Sequence, residues 1–469
     1  MSWPERPVIY EVNTAVWLGE LSCTLADVPP EAWNAVTPAG VDAVWLMGVW
    51  ERSTLGLAIA NAHPGLRASF YETLPDLRVE DVAGSPYCVR RYAVASEFGG
   101  DEGLAKARAE LASRGVRLIL DYVPNHVAPD HPWVVEHPEF FVRGDLDDYT
   151  ADPQSWLIVG ENVIARGKDP YFPAWPDVVQ LDAFSPAFRA AATMTLASVA
   201  ARCDGIRCDM AMLMTNEVFS RTWQVPPPSA DFWPEVIGGL RAEHPETVLI
   251  AEAYWNMEWP LQQQGFNFCY DKRLYDRLVA GDVSGVRSHL LADPGYQSRL
   301  VRFLENQDEP RVLSELSPAA ARAAAVVIAT LPGATLWHEG QFEGRHVRPP
   351  VFLARRPDEQ LDDDLAGWYR RLLAIVADHG VRRGVFRLLD VQGWPDNRSC
   401  ERLLAWEWTA ADGARHLVVV NFSDQTAQGL IPVDWPEKYT DLLDGSVYEA
   451  ASPLYVELGP WGCHLFVAA

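Results

Sequence analysis

The sequence predicts an α/β fold: a (β/α)8 TIM barrel, a small subdomain inserted after strand 3, and a C-terminal antiparallel β-sandwich domain. Three observations carry this expectation. Eight apolar, strand-like runs alternate with helical stretches from about residue 8 to about residue 380, and repeated strand-then-helix units favour a closed parallel barrel over an open sheet. The run from 127 to 185 is rich in Pro, Asp and aromatic residues and is too long for a structureless loop in a compact domain. Beyond residue 384 helical periodicity gives way to alternation with DG turn signals, the pattern of antiparallel strands. The chain therefore divides into barrel segments 1–126 and 186–383, an inserted subdomain 127–185, and a C-terminal β domain 384–469.

The elements follow in order. VIYEV (8–12) and DAVWLMG (42–48) open the barrel, and RLILDYV (117–123) is its third strand. DGIRCD (204–209), TVLIAEA (247–253), FNFCYD (266–271), LVRFLEN (300–306) and ATLWHEG (334–340) complete the eight. Helical periodicity marks 102–115 and 186–203, among others. In the last segment RLLAWEW (402–408) and HLVVVNF (416–422) alternate as strands do.

Composition excludes several function classes. The chain has 469 residues, of which 48% are hydrophobic and 22% charged, an ordinary globular balance. Its net charge of −25 would be repelled by nucleic acid and by anionic membranes, so neither is an expected partner. No apolar run reaches transmembrane length, and the N-terminus MSWPERPVIYEV lacks the basic and apolar regions of a secretory signal. The seven cysteines are scattered without CxxC pairing, which fits reduced thiols and a cytoplasmic location. No phosphate loop, dinucleotide fingerprint or G-x-S-x-G elbow occurs. The histidines His126, His131 and His137 match no zinc spacing; capping or surface roles suit the latter two better. The expected partner is a carbohydrate, and oligomeric state is not written in the sequence.

Three carboxylates stand where three apolar runs stop: Asp209, Glu252 and Asp308. At the carboxyl-end rim of a barrel, catalytic groups converge. A retaining glycosidase needs one carboxylate as nucleophile and one acid to protonate the leaving oxygen. A third can grip sugar hydroxyls, and an arginine such as Arg207 can keep the nucleophile ionised. A lone Asp at a strand end is more often a cap or turn residue. That bland reading weakens when Arg207, Asp121, Asn125, His126 and Asn306 fall on the same rim.

These residues resemble the conserved regions of the α-amylase superfamily, glycoside hydrolase family 13. LILDYVPNH is similar to the first region, DGIRCDMA to the second, VLIAEAYW to the third and RFLENQDEP to the fourth. QLD (180–182) resembles the short motif near the end of the inserted subdomain, and SPYCVRRYAV the segment after the second strand. The resemblance implies a retaining α-glycosidase acting on a small α-glucoside or α-glucan, with a transglycosylase or glucosyltransferase as the alternative outcome. A non-catalytic binding protein on the same scaffold is the third reading, disfavoured because all three acids and Arg207 are present. It implies Asp209 as nucleophile, Glu252 as acid/base and Asp308 as transition-state stabiliser. Arg207 would orient Asp209, His126 would meet the hydroxymethyl side, Tyr87 would stack beneath the ring, and Asp121 would support the site from below.

The departures are informative. The family's usual His between Asn and Asp of the fourth region is Gln307 here, which still offers an amide donor but cannot carry a proton charge; Gln307 and Asn306 are expected to bind substrate. Met212 and Leu213 stand where starch-degrading members have Lys-His, which removes a polar grip on the acceptor side. The same change replaces a residue whose carbonyl usually helps hold a structural calcium, which puts that ion in doubt; no other metal and no cofactor is expected. Six of the 19 tryptophans (Trp133, Trp156, Trp175, Trp223, Trp255 and Trp259) fall in loops around the proposed rim. They can stack on sugar faces or merely pack the insert. Glu343 and Arg345 are expected to brace the barrel end.

Overall fold

The computed structural model describes residues 2–435, 438–449 and 452–468. Eight parallel strands form a closed barrel: β1 (Val8–Asn13), β2 (Ala43–Met47), β3 (Arg117–Tyr122), β4 (Gly205–Cys208), β5 (Val248–Ala251), β6 (Phe268–Tyr270), β7 (Leu300–Arg302) and β8 (Ala334–His338), with β8 closing on β1. Both faces of these strands are buried, which is why they read as continuous apolar runs. Ile9, Trp45, Ile119, Ile250, Val301 and Leu336 fill the barrel interior. Their strand neighbours Val8, Tyr10, Val44, Leu118 and Leu249 pack outward against the helices.

Helix starts are set by local chemistry. Ser185 and Ser317 each precede a proline, and each hydroxyl accepts from a backbone N–H of the first turn, Phe188 and Ala320 respectively. Proline at the first helical position costs no hydrogen bond, and the serine satisfies an orphan donor. The helix Pro318–Thr330 is alanine-rich and buried almost all round. It lies between the barrel and the C-terminal strands, where Trp408 Nε1 donates to the Thr330 carbonyl at 2.7 Å.

Two excursions leave the barrel's carboxyl end. The segment after β3 forms a two-stranded ladder pairing His126–Val127 with Val179–Gln180, and a three-stranded sheet of Arg143–Gly144, Asn162–Ala165 and Trp156–Val159. The second was not singled out in the sequence. Between β2 and β3 the chain makes the helices Thr54–Ala62 and Pro64–Thr73 and a short strand pair, Trp50–Arg52 with Val89–Val94. Phe70, Leu74 and Val82 there pack on Leu353 from the loop after β8.

The C-terminal strands are β9 (Val385–Leu389), β10 (Leu403–Thr409), β11 (Arg415–Asn421), β12 (Ala427–Ile431), β13 (Lys438–Asp441), β14 (Val447–Glu449), β15 (Leu454–Leu458) and β16 (Cys463–Ala468). A six-stranded antiparallel sheet, β9-β10-β11-β16-β13-β14, faces the β12-β15 pair. Leu403, Leu417 and Val419 of the first meet Ile431, Leu454 and Val456 of the second in one apolar layer, the arrangement of a sandwich.

Candidate active site

Strand register brings the first two acids together. Cys208 of β4 pairs with Ala251 of β5, and Arg207 pairs with Asp121 of β3. The next residues, Asp209 and Glu252, thus leave adjacent strands at one level. Their backbone N–H groups prolong the ladder, Asp209 to the Tyr122 carbonyl and Glu252 to that of Cys208. Asp308 arrives differently. Strand β7 ends at Arg302, earlier than the apolar run suggested, and the chain turns at Asn306. The Asn306 side-chain oxygen accepts from the backbone N–H of both Asp308 and Glu309 at 2.9 Å, so local side-chain bonding replaces the strand ladder.

Arg207 is 1% exposed and lies among three carboxylates. Its Nη1 is 2.6 Å from Asp209 Oδ1 and 3.6 Å from Asp121 Oδ1, and its Nη2 is 2.9 Å from Glu252 Oε2. Its guanidinium also sits over the rings of Trp45, Tyr87 and Tyr270. Burial opposes the charge, but Glu252 and its neighbours outweigh it and hold the guanidinium protonated. Asp121 lies beneath, its carboxylate accepting from Gly48 N–H at 2.9 Å and Trp45 Nε1 at 3.2 Å.

Glu252 has further partners. Tyr254 Oη donates to its Oε1 at 3.1 Å, and Met210 N–H to its Oε2 at 2.5 Å. Met210 adopts a left-handed φ of 42°, a conformation costing about 1–3 kcal/mol in a non-glycine residue. This turn directs the N–H after one acid onto the other. Burial raises both the Asp209 and Glu252 carboxyls, Arg207 opposes it, and the charge of Asp209 pushes Glu252 up further. Two acids on one guanidinium titrate as a pair, in which the charge of each resists ionisation of the other. Protein packed around Asp308, then the charges of Glu252 and Asp209, push its carboxyl up too, an effect that cavity water screens because Asp308 is the exposed one of the three. Gln307 Nε2 links Asp308 Oδ2 at 2.6 Å to Tyr87 Oη at 3.0 Å.

Asp209, Glu252 and Asp308 line one cavity of about 280 Å³ together with Tyr87 and His126. Arg207, Asp121, Asn306 and Gln307 support its floor rather than its wall. Burial lowers the His126 imidazole to about 3, so it is neutral and hydrogen-bonding. Of the six rim tryptophans only Trp175 lines this cavity, meeting His126 edge-on. Trp133 packs on Phe140 and Phe188, and Trp223 lies under Lys168. Ser85, Asp177, Met210, Tyr254 and Phe352 also line it. Sequence reasoning did not single these out; Tyr254 and Met210 could have been found as immediate neighbours of the two acids. His131 and His137 lie outside, the first capping Trp133 N–H and the second paired with Glu139. Glu343 pairs with Arg370 and Arg345 with Glu359, both away from the cavity.

The oxygens of Asn125 and of the turn after Asp209 are already engaged within the protein. Asn125 Oδ1 and its carbonyl both accept from Gln180 Nε2, at 2.8 and 3.0 Å. The carbonyl of Met212 is capped by Thr215 Oγ1 and that of Ala211 by Trp233 Nε1, each at 2.8 Å. Among the described residues no group of three or more His, Cys, Asp or Glu side chains could hold a metal ion.

No family model matches the chain. The α-amylase MalA of Haloarcula japonica is 26% identical over 463 residues, which is 96% of this chain and 60% of MalA. This chain is thus similar to an α-amylase along nearly its whole length. An α-1,4-glucan:maltose-1-phosphate maltosyltransferase of Burkholderia pseudomallei is 26% identical over 200 residues, 40% of this chain and 15% of that one. The crystal structure of a noncanonic maltogenic α-amylase, AmyB of Thermotoga neapolitana, superposes on this chain with a TM-score of 0.72 at 18% identity, covering 99% of each chain. The barrel and the C-terminal sheet are thus those of the α-amylase fold. This chain spans only 60% of the length of MalA.

Two outcomes follow from the buried groups. Glu11, at the end of β1, is fully buried, and burial raises its carboxyl to about 8; its nearest partner is His338 Nδ1 at 3.3 Å. Because the folded value is raised, its stabilising contribution is complete below the ordinary carboxylate value and disappears as pH rises towards 8. Glu11→Gln should therefore lose at least about 1 kcal/mol less stability than the wild type between pH 5 and 8.5, measured by urea unfolding. Since the acceptors near Asn125 are already satisfied by Gln180, EDTA should leave the thermal midpoint within a degree of its untreated value.

Proposed function

We propose that this chain is a retaining α-glycosidase that hydrolyses α-glucosidic bonds of a small α-glucoside or short α-glucan by double displacement. The observation that carries the reading is the shared guanidinium: Arg207 bridges Asp209 and Glu252 through its two terminal nitrogens. One guanidinium spanning both groups favours the close pair of a retaining enzyme, about 5–5.5 Å apart, over the wider pair that admits a water between sugar and base.

In this account Glu252 protonates the leaving oxygen while Asp209 attacks the anomeric carbon. The C–O bond to the leaving sugar breaks as the Asp209–carbon bond forms. Glu252, now ionised, takes a proton from water, and that water releases the sugar from Asp209 with its α configuration restored. Asp308 and His126 hold ring hydroxyls, and Tyr87 offers its face to the ring. Gln307 keeps Asp308 and Tyr87 in register but brings no titrating group, unlike the histidine it replaces.

The cavity volume supports a short substrate, since it lies just below the usual range of about 300–1,000 Å³ for small-molecule sites. Transfer to a sugar acceptor is the second reading, supported by the likeness to a maltosyltransferase and by the buried, apolar Met212 and Leu213 behind the acid/base. All seven cysteines are unpaired, which supports a reducing, cytoplasmic setting. Among the described residues no helix is long and apolar enough to cross a membrane.

The test is a panel of maltooligosaccharides, trehalose, sucrose and isomaltose followed by anomer-resolved NMR. The first-formed product should be the α anomer, and Asp209→Asn should cut kcat by at least about a thousandfold. An initially β product, or undiminished turnover by Asp209→Asn, contradicts the reading.

A further inference from the structure

Asp177 differs from every other acid of the cavity. Asp209 and Glu252 are held by Arg207, and Asp308 is held by Gln307. Asp177 lines the same cavity and is only 6% exposed. Among the described residues its carboxylate has no ion-pair partner and no hydrogen bond beyond its own peptide N–H. Arg166 and His63 act on it only through space, and the Arg166 guanidinium is engaged with the Pro176 carbonyl. Burial pushes the carboxyl up.

With so few donors from the fold, and oxygens that reach the open space of the cavity, this carboxylate keeps acceptor capacity for whatever fills that space. The backbone around Asp177 is not free to swing the side chain out to water. Cys88 Sγ donates to the Asp177 carbonyl at 3.0 Å, and Val178 packs with Cys88, Ala128 and Trp175. Position decides which ligand group it meets. Cys88 follows β2 and Ala128 follows β3, whereas Glu252 and Tyr254 follow β5. Asp177 therefore stands on the wall away from the acid that protonates the leaving sugar, beside His126 and Trp175.

We propose that Asp177 accepts hydrogen bonds from hydroxyls of the glycosyl unit being transferred and thereby sets recognition at the donor end of the cavity. The inference rests on the glycosidic reading above and adds to it the residue that selects the donor sugar. Hydroxyl groups supply the donors that the fold withholds, and a bond to a charged acceptor is among the stronger ones. Recognition built this way rejects a sugar lacking the hydroxyl, because the carboxylate is then buried unpaired.

The test is calorimetric titration with maltose and its singly deoxygenated analogues. The parent protein is Asp209→Asn, so that sugar is not consumed, and the comparison is the double variant that adds Asp177→Asn. Expected are a Kd for maltose at least tenfold weaker in the double variant, one analogue that binds both proteins within twofold, and a thermal midpoint no lower than the parent's. A maltose Kd within twofold of the parent, or a midpoint several degrees lower with unchanged Kd, overturns the proposal. Turnover of p-nitrophenyl α-glucoside by the wild type separates the two readings. If the wild type is inactive while Asp177→Asn still weakens maltose, the glycosidase reading fails and takes the transferred unit with it, while the contact of Asp177 with sugar hydroxyls stands. If the wild type is active and binding is unchanged, this one fails alone. No maltose binding by the parent overturns both.

Discussion

One buried cation makes the carboxyl end of this barrel possible. Asp121, Asp209 and Glu252 all lie within 3.6 Å of the Arg207 side chain, and none of the four residues is more than 5% exposed. Removing that many charges from water carries a penalty of several kcal/mol per ion, which only close opposite charge and hydrogen bonds offset. Arginine suits the task because its planar fork meets two carboxylates at once and stays protonated when buried. The aromatic faces of Trp45, Tyr87 and Tyr270 around it exclude water and so strengthen the pairing.

Everything else at the site is arranged around that charge. Register places Arg207 opposite Asp121 and sends Asp209 and Glu252 out side by side. The left-handed turn at Met210 then adds an N–H to Glu252, so two acids in one environment receive different partners. Difference of partner is what divides an acid from a nucleophile. On the opposite wall the buried Gln180 amide ties Asn125 to the returning strand Val179–Gln180, and Asn125 in turn meets His126 Nδ1 at 3.2 Å. A side-chain amide thus fastens the inserted segment where a cation could otherwise have served.

How much of this was legible in the sequence depends on distance along the chain. Barrel strands read as apolar runs because both their faces are buried, and an acid directly after such a run lands on the rim, as Asp209 and Glu252 do. Asp308 was found by the same reasoning, although its placement comes from the Asn306 turn rather than from the strand. Residues brought in from distant segments left no such trace. Asp177 is one acid among many in a Pro- and Asp-rich stretch, and Phe352 comes from the loop after β8. Nothing in their local pattern shows that they share a wall with Asp209. The tryptophans mislead for the same reason: stacking on sugar and packing on Phe140 call for the same residue type. The helices between β2 and β3 were missed because attention to strand ends passes over what loops carry.

The central claim is that Asp209, held ionised by Arg207, becomes covalently bonded to the sugar. It is tested most directly by incubating the wild type with 5-fluoro-α-glucosyl fluoride, whose fluorine slows release of the intermediate, and locating the label by peptide mass spectrometry. The account predicts one fluoroglucosyl unit on Asp209 that is lost when an acceptor is added. Steady turnover with Asp209 unmodified, or a label on another residue, would contradict it.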